Sequence, residues 1–223
     1  TQDAAGQNMV TKAAESVCKY IAEHSPVKPS RWIIESNLSG DKKASNQSFL
    51  GVRGRKVTAE AEISAEVLKR VLRTDGKALV AAWRTMILGG TMSGTIGAQA
   101  HYANGLAALY LATGQDVACV AESAVGVTRF EQRENGNMYC SATLPNLVVG
   151  TVGGGTGLPT QQACLALMGL AGAGHARALA EVCAGVALAG ELSIIAAIAS
   201  GEFARSHELL GRLRKRQSRA KKS

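Results

Sequence analysis

The feature that most constrains the fold is an alanine-rich stretch near the end of the chain, residues 175–200. Its length and composition predict a long helix that forms the central pillar of the fold and ends at Gly201. One charged residue, Glu191, interrupts its apolar segment Val182–Ala199, which argues against a membrane span. Aromatic residues make up only 4% of the chain, so the core must consist mainly of Ala, Val, Leu and Ile.

Strand signals elsewhere predict antiparallel pairing. Val57–Ile63 alternates apolar and polar residues with a period of two, which is typical of a half-buried strand. Two further strand-like runs, Ala124–Phe130 and Met138–Leu144, flank Asn135-Gly136, and an Asn-Gly pair is a strong hairpin signal. Together with the long helix, these strands predict an α+β fold.

Periodicity and capping residues predict the remaining elements. An amphipathic helix should open the chain, with Val10, Ala14, Val17 and Ile21 on one face, and end near Ser25-Pro26. A second helix is predicted after the cap Ser64, with a stop at Thr74-Asp75-Gly76 and with Val67, Leu68, Val71 and Leu72 buried. Two more helices are predicted, one over the apolar segment that ends at Gly114 and one from Pro159 to Gly169. Short strands are predicted at Arg31–Glu35, Val117–Val120 and Leu147–Val152, and residues 36–48 are predicted to form a loop.

Positive charge is concentrated at the end of the chain. The net charge is +8, but residues 211–223 carry seven basic residues and no acidic one, which leaves +1 for the rest. We interpret this run as a solvated tail rather than as a nucleic-acid-binding element. The chain opens without a secretory signal and its five cysteines are widely spaced, so no disulfide framework is predicted and a reducing cytosol is the expected compartment.

A glycine-rich loop, Gly153-Gly154-Gly155-Thr156-Gly157, precedes the helix predicted to begin at Pro159. Successive backbone N–H groups beside a helix N-terminus can hold phosphate groups. The loop does not match GxGxxG, it lacks the lysine of a P-loop, and His175 stands where an acidic residue would be expected about twenty positions further on. On its residues alone, a tight structural turn is an equally good interpretation.

Two polar segments contain groups suited to acid–base or oxyanion chemistry. His207 follows the long helix in a polar run, where an imidazole could titrate near neutral pH and act as a general acid. Lys42, in the loop sequence Asp41-Lys42-Lys43, could stabilise an oxyanion if another subunit covered the loop. The simpler alternatives are an exposed histidine and a solvated charge cluster.

Three further polar residues stand close to apolar segments. Asp116 precedes the predicted strand Val117–Val120 and should lie near the core, where a carboxylate needs a cation or hydrogen-bond donors. His101 and Asn104 lie one helical turn apart, a spacing that suits either a bound ligand or a polar gap in the core. The chain has neither GxSxG nor HExxH and its four histidines are scattered, so we predict no acyl-serine chemistry and no bound metal.

Eight segments occur together and in a fixed order. They are DAAGQN (3–8), DKK (41–43), RGRKV (53–57), GTIGAQAHYAN (94–104), GQD (114–116), LPNLVVGTVGGGTGLPTQQACL (144–165), AGELS (189–193) and SH (206–207). The set resembles 3-hydroxy-3-methylglutaryl-CoA reductase, the family that forms mevalonate in isoprenoid and sterol biosynthesis. The resemblance extends over nearly the whole chain.

The resemblance implies an activity and a set of functional residues. The family reduces 3-hydroxy-3-methylglutaryl-CoA to mevalonate and free coenzyme A by two hydride transfers, with NADPH favoured over NADH. Lys42 is similar to the lysine that holds the thioester and aldehyde oxygen, Asp116 to the carboxylate that tunes neighbouring protonation, and His207 to the acid that protonates the departing thiolate. Residues similar to substrate or network residues are Asn37, Asp41, Lys43, His101 and Asn104. Residues similar to cofactor contacts are Asp3, Gln7, Asn8, Val152, Gly153, Gly154, Gly155, Thr156 and Arg212.

The same resemblance implies how the chain is organised. Residues 1–35 would end a small, ferredoxin-like NADPH-binding domain, 36–204 would form an incomplete large catalytic domain, and 205–223 would carry the catalytic histidine and a basic tail. Family members place the active site between subunits, so we expect a homodimer or tetramer with no nucleic-acid partner and no membrane contact in this segment. A cytoplasmic location is expected, although the full-length parent could be anchored in the endoplasmic reticulum membrane.

Some residues depart from the family pattern. The catalytic glutamate belongs to a motif upstream of this chain, which we therefore interpret as the C-terminal part of a catalytic region that is inactive alone. Glu35 stands where a serine is common, and Leu213 replaces the regulatory serine of animal members, so phosphorylation there is not expected. The alternative hypothesis is a truncated, non-catalytic homologue that folds or oligomerises and binds coenzyme A or nucleotide.

Overall fold

The computed structural model describes residues 2–51 and 53–204, and these ranges combine helices with one small antiparallel sheet. The α-helices are α1 (Gln7–His24), α2 (Ala65–Arg70), α3 (Gly76–Ser93), α4 (Tyr102–Thr113), α5 (Val120–Ser123), α6 (Pro159–Leu167) and α7 (Ala176–Ala199). The strands are β1 (Arg55–Ile63), β2 (Val127–Gln132) and β3 (Met138–Leu147). The prediction of an α+β protein is confirmed.

Helix α7 is the centre of the core, as its composition predicts. It packs against β1, β3, α3 and α4, and ten of its residues are buried, Glu191 among them. It is also long and apolar enough to cross a membrane. Its contacts with four other elements give the same composition a simpler explanation, because a helix that is apolar on every side suits the middle of a domain.

The sheet has the strand order β1-β3-β2, with both pairs antiparallel. Residues of β1 alternate between half-buried and exposed over Arg55–Ile63, which confirms the period of two. The hairpin between β2 and β3 is also confirmed, and its turn contains Gly136 with φ +83°, a conformation that glycine adopts without strain. One face of the sheet packs on α7, and the other carries polar side chains such as Glu60 and Tyr139.

Two capping residues begin the helices that follow β1 in the chain. The Ser64 side chain accepts a hydrogen bond from Val67 N and begins α2, as predicted. The sequence Thr74-Asp75-Gly76 was expected only to stop that helix. In the structure Asp75 also begins α3, because its carboxylate accepts a hydrogen bond from Ala78 N. Val71 was predicted to be buried, but it follows the last turn of α2 and is 60% exposed.

Three predicted strands are wrong. Residues 31–35 form no regular structure, and their Trp32, Ile33 and Ile34 side chains are exposed, because none of the three described strands lies alongside to pair with them. Residues 117–123 form a short 3-10 helix and then α5. β3 ends at Leu147, and the backbone beyond it bonds to the N-terminal segment, with Thr151 N donating to Asp3 O.

Helix α1 confirms the predicted amphipathic opening helix, including its end beside Ser25. No residue of α1 is buried, and the apolar residues Val10, Val17 and Ile21 are each more than half exposed. The proposed division of the chain at residue 35 stays a prediction.

Candidate active site

A cleft of about 610 Å³ lies where the N-terminus of α1, the end of α4 and the glycine-rich loop meet. Its lining contains most of the predicted cofactor residues and one predicted catalytic residue: Gln7, Asn8, Val152, Gly153, Gly154, Gly155, Thr156 and Asp116. Folding therefore brings together three segments that are far apart in the sequence.

Close backbone contact joins the two glycine-containing turns of the cleft. A Cβ built on Gly114 would lie 2.3 Å from the carbonyl carbon and oxygen of Gly155, and one built on Gly155 would lie 2.8 Å from Gly114 O. Gly114 also ends α4 with φ +71°. Any side chain at either position would push the glycine-rich loop away from the segment that carries Asp116.

Two predicted cofactor residues also hold the cleft together. The Asp3 carboxylate accepts hydrogen bonds from Gly174 N and Ala176 N, at the start of α7, and the first of these lowers its pKa. The Gln7 side-chain amide donates to Cys119 Sγ at 2.9 Å. The structure thus gives both side chains partners within the protein, and their contact with a cofactor stays a prediction.

Lys42 and Asp116 form an ion pair at the edge of this cleft. Lys42 Nζ lies 3.0 Å from Asp116 Oδ2, and each side chain remains more than one-third exposed. The hydrogen bond from Lys42 to Asp116 raises the pKa of the ammonium group, so Lys42 carries its charge at neutral pH. The expectation that Asp116 lies near the core is wrong: it faces the cleft, and its Oδ1 accepts from Ala118 N and caps the 3-10 helix that replaces the predicted strand.

The loop that carries Lys42 has an unusual backbone. Asn37, Gly40 and Lys42 all have positive φ, with +55° at Lys42. A left-handed conformation costs an L-residue other than glycine about 1–2 kcal/mol, so other contacts must hold Lys42 in place. Within the loop, Lys43 Nζ donates to Asp41 O, and Lys43 N donates to Gly40 O.

Glu122 is a buried carboxylate that the sequence analysis missed. It is 2% exposed and accepts four hydrogen bonds, from Lys42 N, from Nε and Nη2 of Arg53, and from Asn146 Nδ2. Burial alone would raise its pKa, but the Arg53 and Lys42 donors lower it below the usual value. A signal was present, because an acidic residue inside the apolar segment 117–125 must be paired if it is buried.

Arg53 completes this network. Its guanidinium bonds to Glu122 and also forms an ion pair with Asp41, the residue before Lys42. The hydrogen bond to Glu122 raises the pKa of Arg53 well above its usual value. The Asn146 side chain accepts from Arg53 N and Gly54 N, which fixes the start of β1 to the same cluster.

His101 and Asn104 lie at the opposite end of α4 from Asp116. A twelve-residue helix is about 18 Å long at about 1.5 Å per residue, so most of the length of α4 separates these two residues from the segment that carries Asp116. Next to them, the buried Glu191 accepts hydrogen bonds from Ala100 N and His101 N at the start of α4. The assignment of His101 and Asn104 to the substrate network stays a prediction.

Three findings concern the remaining predicted groups. His207 and Arg212 lie outside the described residues. Over residues 2–51 and 53–204, no three His, Cys, Asp or Glu side chains come together in a way that could hold a metal ion. All five cysteines are free thiols, and burial raises the pKa of Cys119, beneath the cleft, to about 11.

Comparison with known proteins decides the family. The sequence model of hydroxymethylglutaryl-coenzyme A reductase matches residues 1–212. The chain belongs to the hydroxymethylglutaryl-coenzyme A reductase family. It is 47% identical over 219 residues to the 3-hydroxy-3-methylglutaryl-coenzyme A reductase of Aeropyrum pernix, covering 95% of this chain and 52% of that protein. The reductase of Pyrococcus abyssi is 42% identical, with 95% of this chain and 53% of that protein covered.

The similarity extends beyond archaea. A 3-hydroxy-3-methylglutaryl-coenzyme A reductase of Solanum tuberosum is 41% identical over 216 residues, covering 93% of this chain and 36% of that protein. The chain therefore spans about half the length of these two archaeal relatives. It spans little more than a third of the length of the plant protein. The resemblance stated from the motifs is confirmed at the level of the family, and the roles of individual residues remain predictions.

Proposed function

We propose that the full-length protein reduces 3-hydroxy-3-methylglutaryl-CoA to mevalonate and free coenzyme A, using two hydride transfers from NADPH. Family membership supports an oxidoreductase of this kind. The observation that carries the proposal is the Lys42–Asp116 ion pair at the edge of a cleft lined by the glycine-rich loop. The ammonium of Lys42, a charged donor for a developing oxyanion, then lies beside the cleft that is proposed to hold the cofactor.

The glycine-rich loop fits the phosphate groups of a nicotinamide cofactor. A Cβ built on Gly154 or Gly157 would meet no atom within 4 Å, so the loop backbone borders open space. Bare backbone of this kind can approach a pyrophosphate closely. Neither Lys nor Arg is among the described residues that line the cleft. The cation for the 2′-phosphate of NADPH must therefore come from elsewhere in the full-length protein.

The proposed chemistry assigns separate tasks to the cofactor and the protein. The nicotinamide, when bound, supplies hydride to the carbonyl carbon. Lys42 donates a hydrogen bond to the carbonyl oxygen as negative charge develops on it, and Asp116 keeps the lysine protonated and directed. When the carbon–sulfur bond of the reduced thioester breaks, His207 is proposed to protonate the coenzyme A thiolate as it departs.

A direct assay is NADPH oxidation by the full-length protein with 3-hydroxy-3-methylglutaryl-CoA. Removing an oxyanion donor typically lowers kcat about 100- to 1,000-fold, so we expect a loss of this size for Lys42→Ala. Lys69→Ala, which removes an exposed lysine on α2, is the matched control and should leave the rate unchanged. Equal rates for Lys42→Ala and Lys69→Ala would contradict the assignment of Lys42. A parent protein that binds coenzyme A but oxidises no NADPH would favour the non-catalytic homologue.

We also propose that two subunits share each active site. The distance along α4 between Asn104 and Asp116 supports this, because both are predicted to act in one site. Co-expressing Lys42→Ala with Asn104→Ala tests it: a mixed dimer has one intact site only if the two residues come from different subunits. Restored activity is the expected result, and its absence would place both residues in a site within one chain.

A further inference from the structure

Glu122 connects the Lys42 loop to the segment that carries Asp116. We propose that Glu122 is a positioning residue that sets the Lys42 ammonium against Asp116. The proposal rests on the proposed function, since it assigns Glu122 a task in that same site. Glu122 itself lies within the fold and acts through Lys42.

Direct contact of Glu122 with the loop backbone is the first argument. Glu122 Oε1 accepts a hydrogen bond from Lys42 N at 3.0 Å, over a sequence separation of 80 residues. Lys42 is, with Asn37, one of two residues of the loop that hold a left-handed conformation without being glycine. The Glu122 carboxylate therefore stabilises an otherwise unfavourable backbone conformation at Lys42, the residue whose ammonium group must point towards Asp116.

A second link runs through Arg53. The guanidinium bonds to Glu122 and pairs with Asp41, so the residue before Lys42 is attached to the same carboxylate. Asn146 donates to Glu122 Oε2 at 3.0 Å and holds the carboxylate on β3. Two successive loop residues are thus fixed to one buried group.

The location of Glu122 relative to Asp116 gives the third argument. Asp116 caps the 3-10 helix Val117–Cys119, and α5 follows without a break and contains Glu122. Both acidic residues therefore belong to one short helical segment. Fixing Lys42 N to Glu122 also fixes the distance from the lysine backbone to Asp116, and the side chain then spans the remaining gap to Oδ2 at 3.0 Å.

A purely structural role is the competing explanation, and Ser123 provides the matched control. Ser123 is the next residue of α5 and is fully buried, and its hydroxyl oxygen accepts hydrogen bonds from the Tyr110 hydroxyl and from Val148 N, neither of which belongs to the loop. Ser123→Ala should destabilise the protein without moving Lys42. Glu122→Gln keeps the side-chain shape, but it removes the charge that pairs with Arg53 and turns an N–H group towards another donor.

The experiment measures the titration of Lys42 in the full-length protein. Trace acylation across a pH series, read by peptide mass spectrometry, reports the pKa of this amine without requiring any reductase activity. Among the described residues, the charged groups around Lys42 are Asp116 and Asp41, together with Glu122 at its backbone N–H and Arg53, which pairs with Asp41; the Cys119 thiol is nearby. In the parent and in Ser123→Ala the pKa of Lys42 should be raised, and in Glu122→Gln it should fall to that of an exposed lysine.

Kinetic constants provide the second readout. A misplacement of about 1 Å can lower a rate about 100-fold, so kcat should fall towards that extent in Glu122→Gln while the KM for NADPH is retained. Ser123→Ala should keep both constants. If Glu122→Gln does not fold, Glu122→Asp, which keeps the charge but shortens the reach to Lys42 N, is measured in the same way.

Each outcome separates the two proposals. An unchanged Lys42 titration in Glu122→Gln, or equal kinetic constants for Glu122→Gln and Ser123→Ala, would overturn the positioning role. A parent protein that shows the raised Lys42 pKa but reduces no thioester would overturn the proposed function and leave the positioning of Lys42 by Glu122 in place.

Discussion

Gly114→Ala should break the contact between the two glycine-containing turns of the cleft. The new Cβ would lie 2.3 Å from the carbonyl carbon and oxygen of Gly155, where backbone atoms cannot yield as a flexible side chain does. The position also has φ +71°, which costs alanine about 1–2 kcal/mol. Overpacking against neighbours that cannot move typically adds about 1–3 kcal/mol.

Two other glycines of the loop separate these contributions. Gly154→Ala has φ +56° but open space around its Cβ, so it should show only the conformational cost of about 1–2 kcal/mol. Gly157→Ala has neither a positive φ nor a neighbour within 4 Å and should be close to neutral. Gly114→Ala should therefore be the most destabilising of the three, by about 2–5 kcal/mol in total.

Guanidinium chloride unfolding of the full-length protein measures this order, and equilibrium binding of NADPH measures the effect on the cleft. Gly114→Ala should weaken NADPH binding because the glycine-rich loop and the Asp116 segment move apart. If Gly114→Ala were no less stable than Gly154→Ala, the close approach of Gly114 and Gly155 would not be a real constraint on the fold.

Two further predictions concern α7 and the buried carboxylates. Gly190→Ala should destabilise the protein strongly, because its Cβ would lie 1.9 Å from His101 Nδ1. Gly185→Ala on the same helix meets no atom within 4 Å and should stabilise the protein by up to about 1 kcal/mol through helix propensity. Similar denaturation midpoints for the two variants would contradict the tight packing of α4 on α7. The pKa of Glu122 is lowered from the ordinary glutamate value of 4.5, so the stability that Glu122 contributes is lost as the pH falls below 4.5. Burial raises the pKa of Glu191 above 4.5, so the stability that Glu191 contributes is lost as the pH rises above 4.5. As the pH rises from about 3 to about 7, the difference in unfolding free energy between the parent and Glu122→Gln should therefore grow, and the difference between the parent and Glu191→Gln should shrink. A trend of the same sign in both variants would refute this reasoning.

Much of the fold could be predicted because its signals are local. The period of two over Val57–Ile63, the Asn-Gly turn before β3 and the capping serine before α2 each act over a few neighbouring residues. The length and composition of α7 were enough to predict its central place. The predicted strand at residues 31–35 failed because an apolar run satisfies the composition of a strand, but a strand forms only where another lies beside it.

The motifs indicated which residues could form the candidate site, but the contacts behind the Lys42–Asp116 pair were not predicted. Nothing along the chain indicates that Lys42 N meets Glu122 across 80 positions, or that Gly114 touches Gly155. Asp116 illustrates the difference, since its apolar neighbours suggested burial while the 3-10 helix that it caps turns it towards the cleft.

The sequence by itself determined the family, the main helices and strands, and the chemical types available for the site. Tertiary structure decided which charges meet: the ammonium of Lys42 with Asp116, and the guanidinium of Arg53 with Glu122. The physical reason is that periodicity and capping depend on neighbours in the chain, whereas the energy of a charge depends on which groups surround it after folding.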